Sequence, residues 1–134
     1  MEDSILLTIK EMLGLSKTYP AYNTDVIRNI NGSLFTLMQL GVGPSTGFRI
    51  TGESETWNDY IGDRKDLDAV VNFIYIKARI VFDPPTSAAV LQALKEEAKE
   101  YEYRLNTQVE HGPYRVTPAG YIITESEIDE IMNT

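Results

Sequence analysis

The chain has 134 residues, 43% of them hydrophobic and 24% charged, and a formal net charge of −8. This length fits one domain, and the composition is that of a folded globular protein, which argues against extensive disorder. Without cysteine there are no disulfides or thiolates, and scattered cations with no basic run longer than Arg64-Lys65 argue against a nucleic-acid-binding surface.

The first residues and the apolar runs predict where the protein resides. The N-terminus opens with acids and reaches Lys10 early, which does not match a secretory signal. No apolar run approaches the ~18 residues that a membrane-spanning helix needs. We therefore expect a soluble intracellular protein that does not contact a membrane.

Hydrophobic periodicity predicts two helices in the first third of the chain, over about residues 4 to 13 and 24 to 40. Glycine follows each helix, at Gly14 and Gly41, where a helix end favours a left-handed residue. The candidate N-terminal caps are Asp3 or Ser4 for the first helix and Asn23 or Thr24 for the second.

A long segment without helical periodicity, residues 41 to 55, follows the second helix. Loops of this length in a small domain are often functional, so we expect partner contacts here, and "FRIT" at residues 48 to 51 could pair as a short strand. Residues 57 to 62 predict one helical turn, and Trp57 either plugs one end of the core or anchors an interface. The candidate partner contacts are Val42, Gly43, Pro44, Phe48, Arg49 and Trp57.

The most apolar segment predicts a third helix at the centre of the fold, from Asp63 or Asp66 to about Phe82. Two apolar stripes run along it on nearly opposite sides. The first stripe comprises Leu67, Val70, Val71, Ile74, Ala78 and Val81, and the second comprises Ala69, Phe73, Ile76 and Ile80. By pattern alone, the second stripe is either the far side of a central bundle helix or a subunit interface.

A corner follows at Asp83, Pro84 and Pro85, because the residue before a proline is pushed out of the helical region. A fourth helix is expected over about residues 86 to 107. Its seven-residue spacing suits packing on another helix, and the residues concerned are Leu91, Leu94, Ala98, Tyr101 and Leu105.

The composition changes after residue 110, where turn signals and two short strand-like pieces predict a C-terminal arm over residues 111 to 134. Its candidate contact residues are Tyr114, Val116, Tyr121 and Ile122. The predicted fold is therefore mainly α. It is a small bundle of about four helices over residues 1 to 110, with a long loop between helices 2 and 3 and an extended arm that can contain short strands.

The sequence offers no convincing catalytic constellation. His111 is the only histidine, and we predict it in a turn without a second imidazole or thiolate for a zinc site. A hydrolase using Asp59 or Asp63 with Arg64 would lack a nucleophile and a metal cluster. The acids with the spacing of a solvated helix face, rather than a cation site, are Glu96, Glu97, Glu100 and Glu102. We expect no enzyme activity, no cofactor and no metal site.

Four stretches occur in an order that is similar to a known family. They are "QLGVGPSTGF" at residues 39 to 48, the turn from Trp57 to Gly62, "YIKARIVFDPPTS" at residues 75 to 87, and "YRLN" at residues 103 to 106. Over about residues 1 to 110, the chain resembles the head-tail connector (adaptor, or head completion) family of long-tailed bacteriophages.

The resemblance implies a helical subunit that forms a ring, commonly of twelve, beneath the portal of the DNA-filled head. It implies a virion protein of the head-tail neck that passes through the host cytoplasm during assembly. The implied partners are the portal protein and a tail-side stopper or tail completion protein, while genomic DNA passes through the channel without specific binding. In such a ring, the candidate subunit interface is Ala69, Phe73, Ile76 and Ile80.

A second class of function stays open. A small acidic helical protein can be an intracellular regulator that binds one partner, for example by mimicking DNA. That protein would be monomeric or dimeric and would compete with DNA for a basic partner, whereas a connector would form a high-order assembly on the portal.

Overall fold

A computed structural model describes residues 3–62 and 67–111 of the chain, with side chains up to residue 107. Five helices lie in these ranges: α1 (Ile5–Met12), α2 (Asn23–Gln39), α3 (Trp57–Ile61), α4 (Leu67–Phe82) and α5 (Ala88–His111). Helices α1, α2 and α5 each pack against α4, and α1 also packs against α2. The prediction of a mainly α fold, a small helical bundle, is confirmed.

The start of α1 follows the sequence pattern. Ser4 is its N-cap, and the Ser4 Oγ accepts a hydrogen bond of 3.2 Å from the backbone N–H of Leu7. This bond satisfies one of the amide groups that the first turn of a helix leaves without a partner. Of the two candidate caps, the structure selects Ser4.

The start of α2 differs from the prediction, because neither Asn23 nor Thr24 caps it and Tyr22 occupies the N-cap position without a side-chain hydrogen bond. The Asn23 Oδ1 instead accepts a hydrogen bond of 2.7 Å from the Lys10 Nζ, which also donates to the backbone carbonyl of Tyr19 at 2.9 Å. Lys10 is only 1% exposed. One buried lysine therefore ties the end of α1 to the start of α2.

Helix α4 is buried on both of its apolar sides. Its buried residues are Val70, Val71, Phe73, Ile74, Ile76 and Ala78. From the second stripe, Phe73 is 0% and Ile76 is 4% exposed, so in this conformation neither has surface to offer a neighbouring subunit. Ala69 and Ile80 are half-buried, and their contact with a neighbour stays a prediction. Val81 of the first stripe is the exception, because it lies in the last turn and is 59% exposed.

The proline corner lies where the sequence predicts it. Helix α4 ends at Phe82, and residues 83–87, which include both prolines, are not helical. The Ser87 Oγ then accepts a hydrogen bond of 3.3 Å from the N–H of Val90, so α5 begins at Ala88, two residues later than predicted. The interruption turns the chain because no helical hydrogen-bond ladder can pass through two consecutive prolines.

Helix α5 runs back along α4. The Asn72 Nδ2 of α4 donates to the Tyr101 hydroxyl at 3.4 Å, and Leu94, two turns nearer the corner, lies beside Ile76. Further along, the Asn106 Nδ2 donates to the Leu40 carbonyl at 3.4 Å, which brings the second half of α5 to the end of α2. The predicted packing face holds, with Ala98 and Leu105 buried and Leu91, Leu94 and Tyr101 half-buried.

The end of α5 corrects one prediction. His111 is its last residue, so the backbone there is helical and not the predicted turn, and the helix ends four residues later than expected. The arm residues Tyr114, Val116, Tyr121 and Ile122 lie outside the described residues, as do Asp63 and Arg64. No helix in the described ranges is long and apolar enough to cross a membrane.

Burial of α4 within one chain predicts the effect of a charge at Ile76. We expect Ile76→Asp to lower the free energy of unfolding by about 3–5 kcal/mol, because the new carboxylate is buried without a partner. The matched control on the same helix is Val81→Asp, which is exposed and should change stability by roughly 0.5 kcal/mol or less. Urea denaturation followed by circular dichroism measures both, and equal stability of the two variants would return Ile76 to the candidate subunit interface.

Candidate partner-binding surfaces

The long loop between α2 and α3 is held against the helical body. Val42 and Ile50 are buried in the core. The Asn31 side chain of α2 binds both backbone groups of Ile50: its Nδ2 donates to the carbonyl at 3.0 Å, and its Oδ1 accepts from the N–H at 2.7 Å. This side chain takes the place of a strand partner, so the predicted strand at residues 48–51 does not form.

The second half of the loop is closed by the Glu55 carboxylate. It accepts hydrogen bonds from the Thr51 N–H at 3.0 Å, the Thr51 hydroxyl at 2.8 Å and the Gly52 N–H at 3.4 Å. Burial by itself raises the pKa of Glu55, but the hydrogen bonds favour the charged form and together hold its pKa below the ordinary value. The loop therefore keeps a charged carboxylate at its turn.

The loop ends on a short backbone bridge to the N-terminus. The Ile5 N–H donates to the Glu55 carbonyl at 3.0 Å, and the Trp57 N–H donates to the Asp3 carbonyl at 3.1 Å. These two bonds form one isolated antiparallel bridge, between Ser4 and residue 56. Together with the Asn31 contact, the bridge fixes the loop at two points.

Trp57 is a core residue, which decides between the two roles that the sequence allowed. Its ring is fully buried, and its Nε1 donates to the Thr8 Oγ1 at 3.1 Å. Helix α3 starts with a capping box, in which Asp59 accepts from the Thr56 N–H at 3.0 Å. Asp59 is therefore a capping residue, and the predicted partner contacts Val42 and Trp57 are unavailable to a partner in this conformation.

An exposed surface remains where the loop meets α2, and we call it the α2–loop surface. Phe35 is 57% exposed, and Phe48 is half-buried against the Tyr60 ring, with ring centroids 5.1 Å apart. A cavity of about 340 Å³ lies here. Its lining residues are Asn31, Phe35, Met38, Thr46, Gly47, Phe48 and Arg49.

Sequence reasoning found only part of this surface. Phe48 and Arg49 were among the predicted partner contacts. The structure places them in one cavity wall with Phe35 and Met38, which the sequence did not predict as contacts. Phe35 had a signal of its own, since it falls outside the apolar stripe of the second helix, about 100° around the helix from the core residue Leu34. A large aromatic side chain off the stripe indicates an exposed contact.

A second groove, the α2–α4 groove, lies between the first half of α2 and the last turns of α4. Its volume is about 650 Å³, and the exposed Val81 is at its edge. The Asn29 Oδ1 is buried and accepts no hydrogen bond from any described residue. The lining residues are Asp25, Arg28, Asn29, Gly32, Ser33, Lys77, Ile80, Val81 and Phe82.

The acids of α5 behave as surface groups. Glu96, Glu97 and Glu100 are exposed, and the Glu100 Oε2 pairs with the Arg104 Nε at 2.7 Å. An exposed pair of this kind contributes about 0.3–0.5 kcal/mol to helix stability. Within residues 3–62 and 67–107, no three His, Asp or Glu side chains are arranged to hold a metal ion.

The described chain is thus a small helical domain whose exposed features include a loop surface and an interhelical groove. A family model described as "Phage connector protein" matches residues 5–112, which include all five helices. The chain belongs to this phage connector protein family. Members of this family are structural connector proteins of bacteriophage virions, so the chain assembles with head or tail components of a phage. No curated relative and no solved structure matches the chain.

The fixed loop predicts different costs for two glycine substitutions. Gly43 has φ +85°, and a Cβ there would lie 2.6 Å from the Cε1 of the buried Tyr60 ring. Gly47 has φ +92°, but its nearest neighbour would be 3.9 Å away. We expect Gly47→Ala to cost about 1 kcal/mol from backbone strain alone.

Gly43→Ala carries the same strain and also displaces a packed ring, so we expect it to cost about 2–4 kcal/mol. Thermal melting of the two variants beside the wild-type chain measures the difference. Equal losses at both glycines would show that the loop does not lie against Tyr60.

Proposed function

We propose that this chain is a head-tail connector (adaptor) subunit that forms a closed ring, of twelve copies, beneath the portal. The ring extends the DNA channel and provides the docking surface for a tail-side stopper or completion protein. The observation that carries the proposal is the family match, which extends over the whole helical body. It favours a connector over the acidic regulator that the composition alone allowed.

The distribution of exposed features supports ring formation. A closed ring is built from heterologous contacts, in which each subunit presents two different surfaces to its two neighbours. The α2–loop surface and the α2–α4 groove share no lining residue. The subunit therefore has two separate surfaces, both outside the core that α4 organises.

The charge of the chain supports a channel that does not bind its contents. Each subunit adds a net charge of −8 to a ring. A ring of acidic subunits repels the phosphates of DNA at distances up to about a Debye length, ~8–10 Å in physiological salt, and so permits sliding.

Ala69 and Ile80 are half-buried, and we propose that their accessible parts contribute to a subunit contact. The corner at residues 83 to 85 shapes the end of the subunit nearest the α2–α4 groove.

Assembly on the portal tests this function. The chain is produced with and without its portal protein, and mass measurement and electron microscopy follow the state of the chain. We expect a ring of copies on the portal in the first case. A chain that never forms a portal-dependent assembly would contradict the proposal.

The α2–loop surface gives a sharper form of the same test. We expect Phe35→Asp to leave the subunit folded, because the Phe35 side chain is exposed. We expect the same variant to lower incorporation into portal-bearing particles roughly tenfold or more. Tyr103→Asp is the matched control, since Tyr103 is an exposed aromatic residue on α5, 70% accessible, away from both surfaces. Equal incorporation of the two variants would remove the α2–loop surface from the contacts.

A further inference from the structure

The α2–α4 groove has the chemistry of a binding site for an acidic, apolar segment. Ile80 and Phe82 are half-buried along α4, and beside them Val81 is 59% exposed. Two cations, Arg28 and Lys77, stand among the lining residues with a single acid, Asp25. In a chain of net charge −8, this groove is a local site of positive charge.

The cations of the groove differ in what they already contact. The Arg28 Nη1 lies 3.1 Å from the Asp25 Oδ1, so Arg28 is paired on its own helix. Lys77 has no ion-pair partner within the described ranges, and its Nζ lies 6.0 Å from the centroid of the Phe73 ring. An incoming carboxylate therefore finds at least one cation without an acidic partner.

The wall of the groove leaves room for a docked segment. A Cβ added at Gly32 would meet nothing within 4 Å, so the groove is open at that residue.

We propose that the occupant is the chain's own C-terminal segment, residues 122–132, folded back onto the groove of the same free subunit. Residues 116–134 contain four acids and no lysine or arginine, so their charge complements the cations of the groove. The segment also carries the apolar residues that the groove requires. They are Ile122, Ile123, Ile128, Ile131 and Met132.

The length of chain between α5 and this segment is sufficient. Asn106 meets Leu40 at the end of α2, and Asn29 lies eleven residues earlier on that helix, a distance of ~17 Å at 1.5 Å per residue. The last turn of α5 adds ~8 Å. Residues 112–121 can span up to ~33 Å when extended, which exceeds the ~25 Å required.

The same tether favours the chain's own groove over that of another copy. A short linker holds a segment at an effective concentration in the millimolar range around its own subunit. Another copy reaches that concentration only after assembly. This inference concerns the free subunit and does not rest on the proposed ring, so either can fail while the other holds.

Disulfide trapping in the full-length chain tests the proposal, since the chain contains no native cysteine. One variant combines Val81→Cys with Ile128→Cys. The matched control combines Phe35→Cys with Ile128→Cys, because Phe35 is 57% exposed and Val81 is 59% exposed. Mild oxidation of dilute protein is followed by non-reducing electrophoresis and by mass spectrometry of the linked peptides.

We expect an intramolecular disulfide at Val81 to form at least about tenfold faster than one at Phe35, because docking holds the segment at the groove. Lys77→Glu in the Val81 variant should slow the reaction several-fold, and so should high salt, which screens the same charges without a mutation. Lys95→Glu, on α5, should leave the rate unchanged. Equal rates at Val81 and Phe35, or disulfides mainly between two chains, would overturn the proposal.

Discussion

The structure depends on the burial of one helix that is apolar on two opposite sides. Helix α4 carries more hydrophobic surface than a single packing partner can cover, so α1, α2 and α5 surround it. Burying a large apolar side chain contributes about 1.5–3 kcal/mol, and α4, with six buried residues, gives the core more buried residues than any other helix described. The proline corner is what allows α5 to return along α4 and complete this cover.

A core complete within one chain changes what an assembly requires of the subunit. Phe73 and Ile76 are used inside the fold, so a partner can reach only other parts of the described surface, among them the α2–loop surface and the α2–α4 groove. The loop presents its surface in a defined position because Asn31 and the bridge to the N-terminus hold it at two points. A domain built in this way has its hydrophobic core within one chain and holds the α2–loop surface in place by contacts of that same chain.

The sequence predicted the features that are encoded locally. Helix periodicity, the Ser4 cap, the end of α4 at Phe82 and the one-turn α3 all depend on residues close together in the chain, and the structure confirms them. The family was also predicted from the sequence, because four short stretches between residues 39 and 106 resemble it in their order. The family model that matches residues 5–112 confirms this prediction.

The features that sequence reasoning missed depend on contacts between distant residues. Asn23 does not cap α2 because Lys10 occupies its side chain, and no strand forms near Ile50 because Asn31, nineteen residues earlier, binds its backbone. Periodicity also does not distinguish a second apolar stripe that faces the chain's own helices from one that faces another subunit, because both environments exclude water from apolar side chains. That choice is made by tertiary packing, and here Phe73 lies in the core.

Native-state hydrogen exchange of the dilute monomer tests the central claim, which is that α4 is fully packed before any assembly. The account predicts that the amides of residues 70 to 78 exchange slowest, near the rate set by global unfolding, while those of the exposed residues 53 and 54 exchange fast. The Ile50 amide, bonded to Asn31, should be protected within the same loop. Fast exchange throughout α4 in the monomer, with protection gained only in portal-bearing particles, would contradict the account.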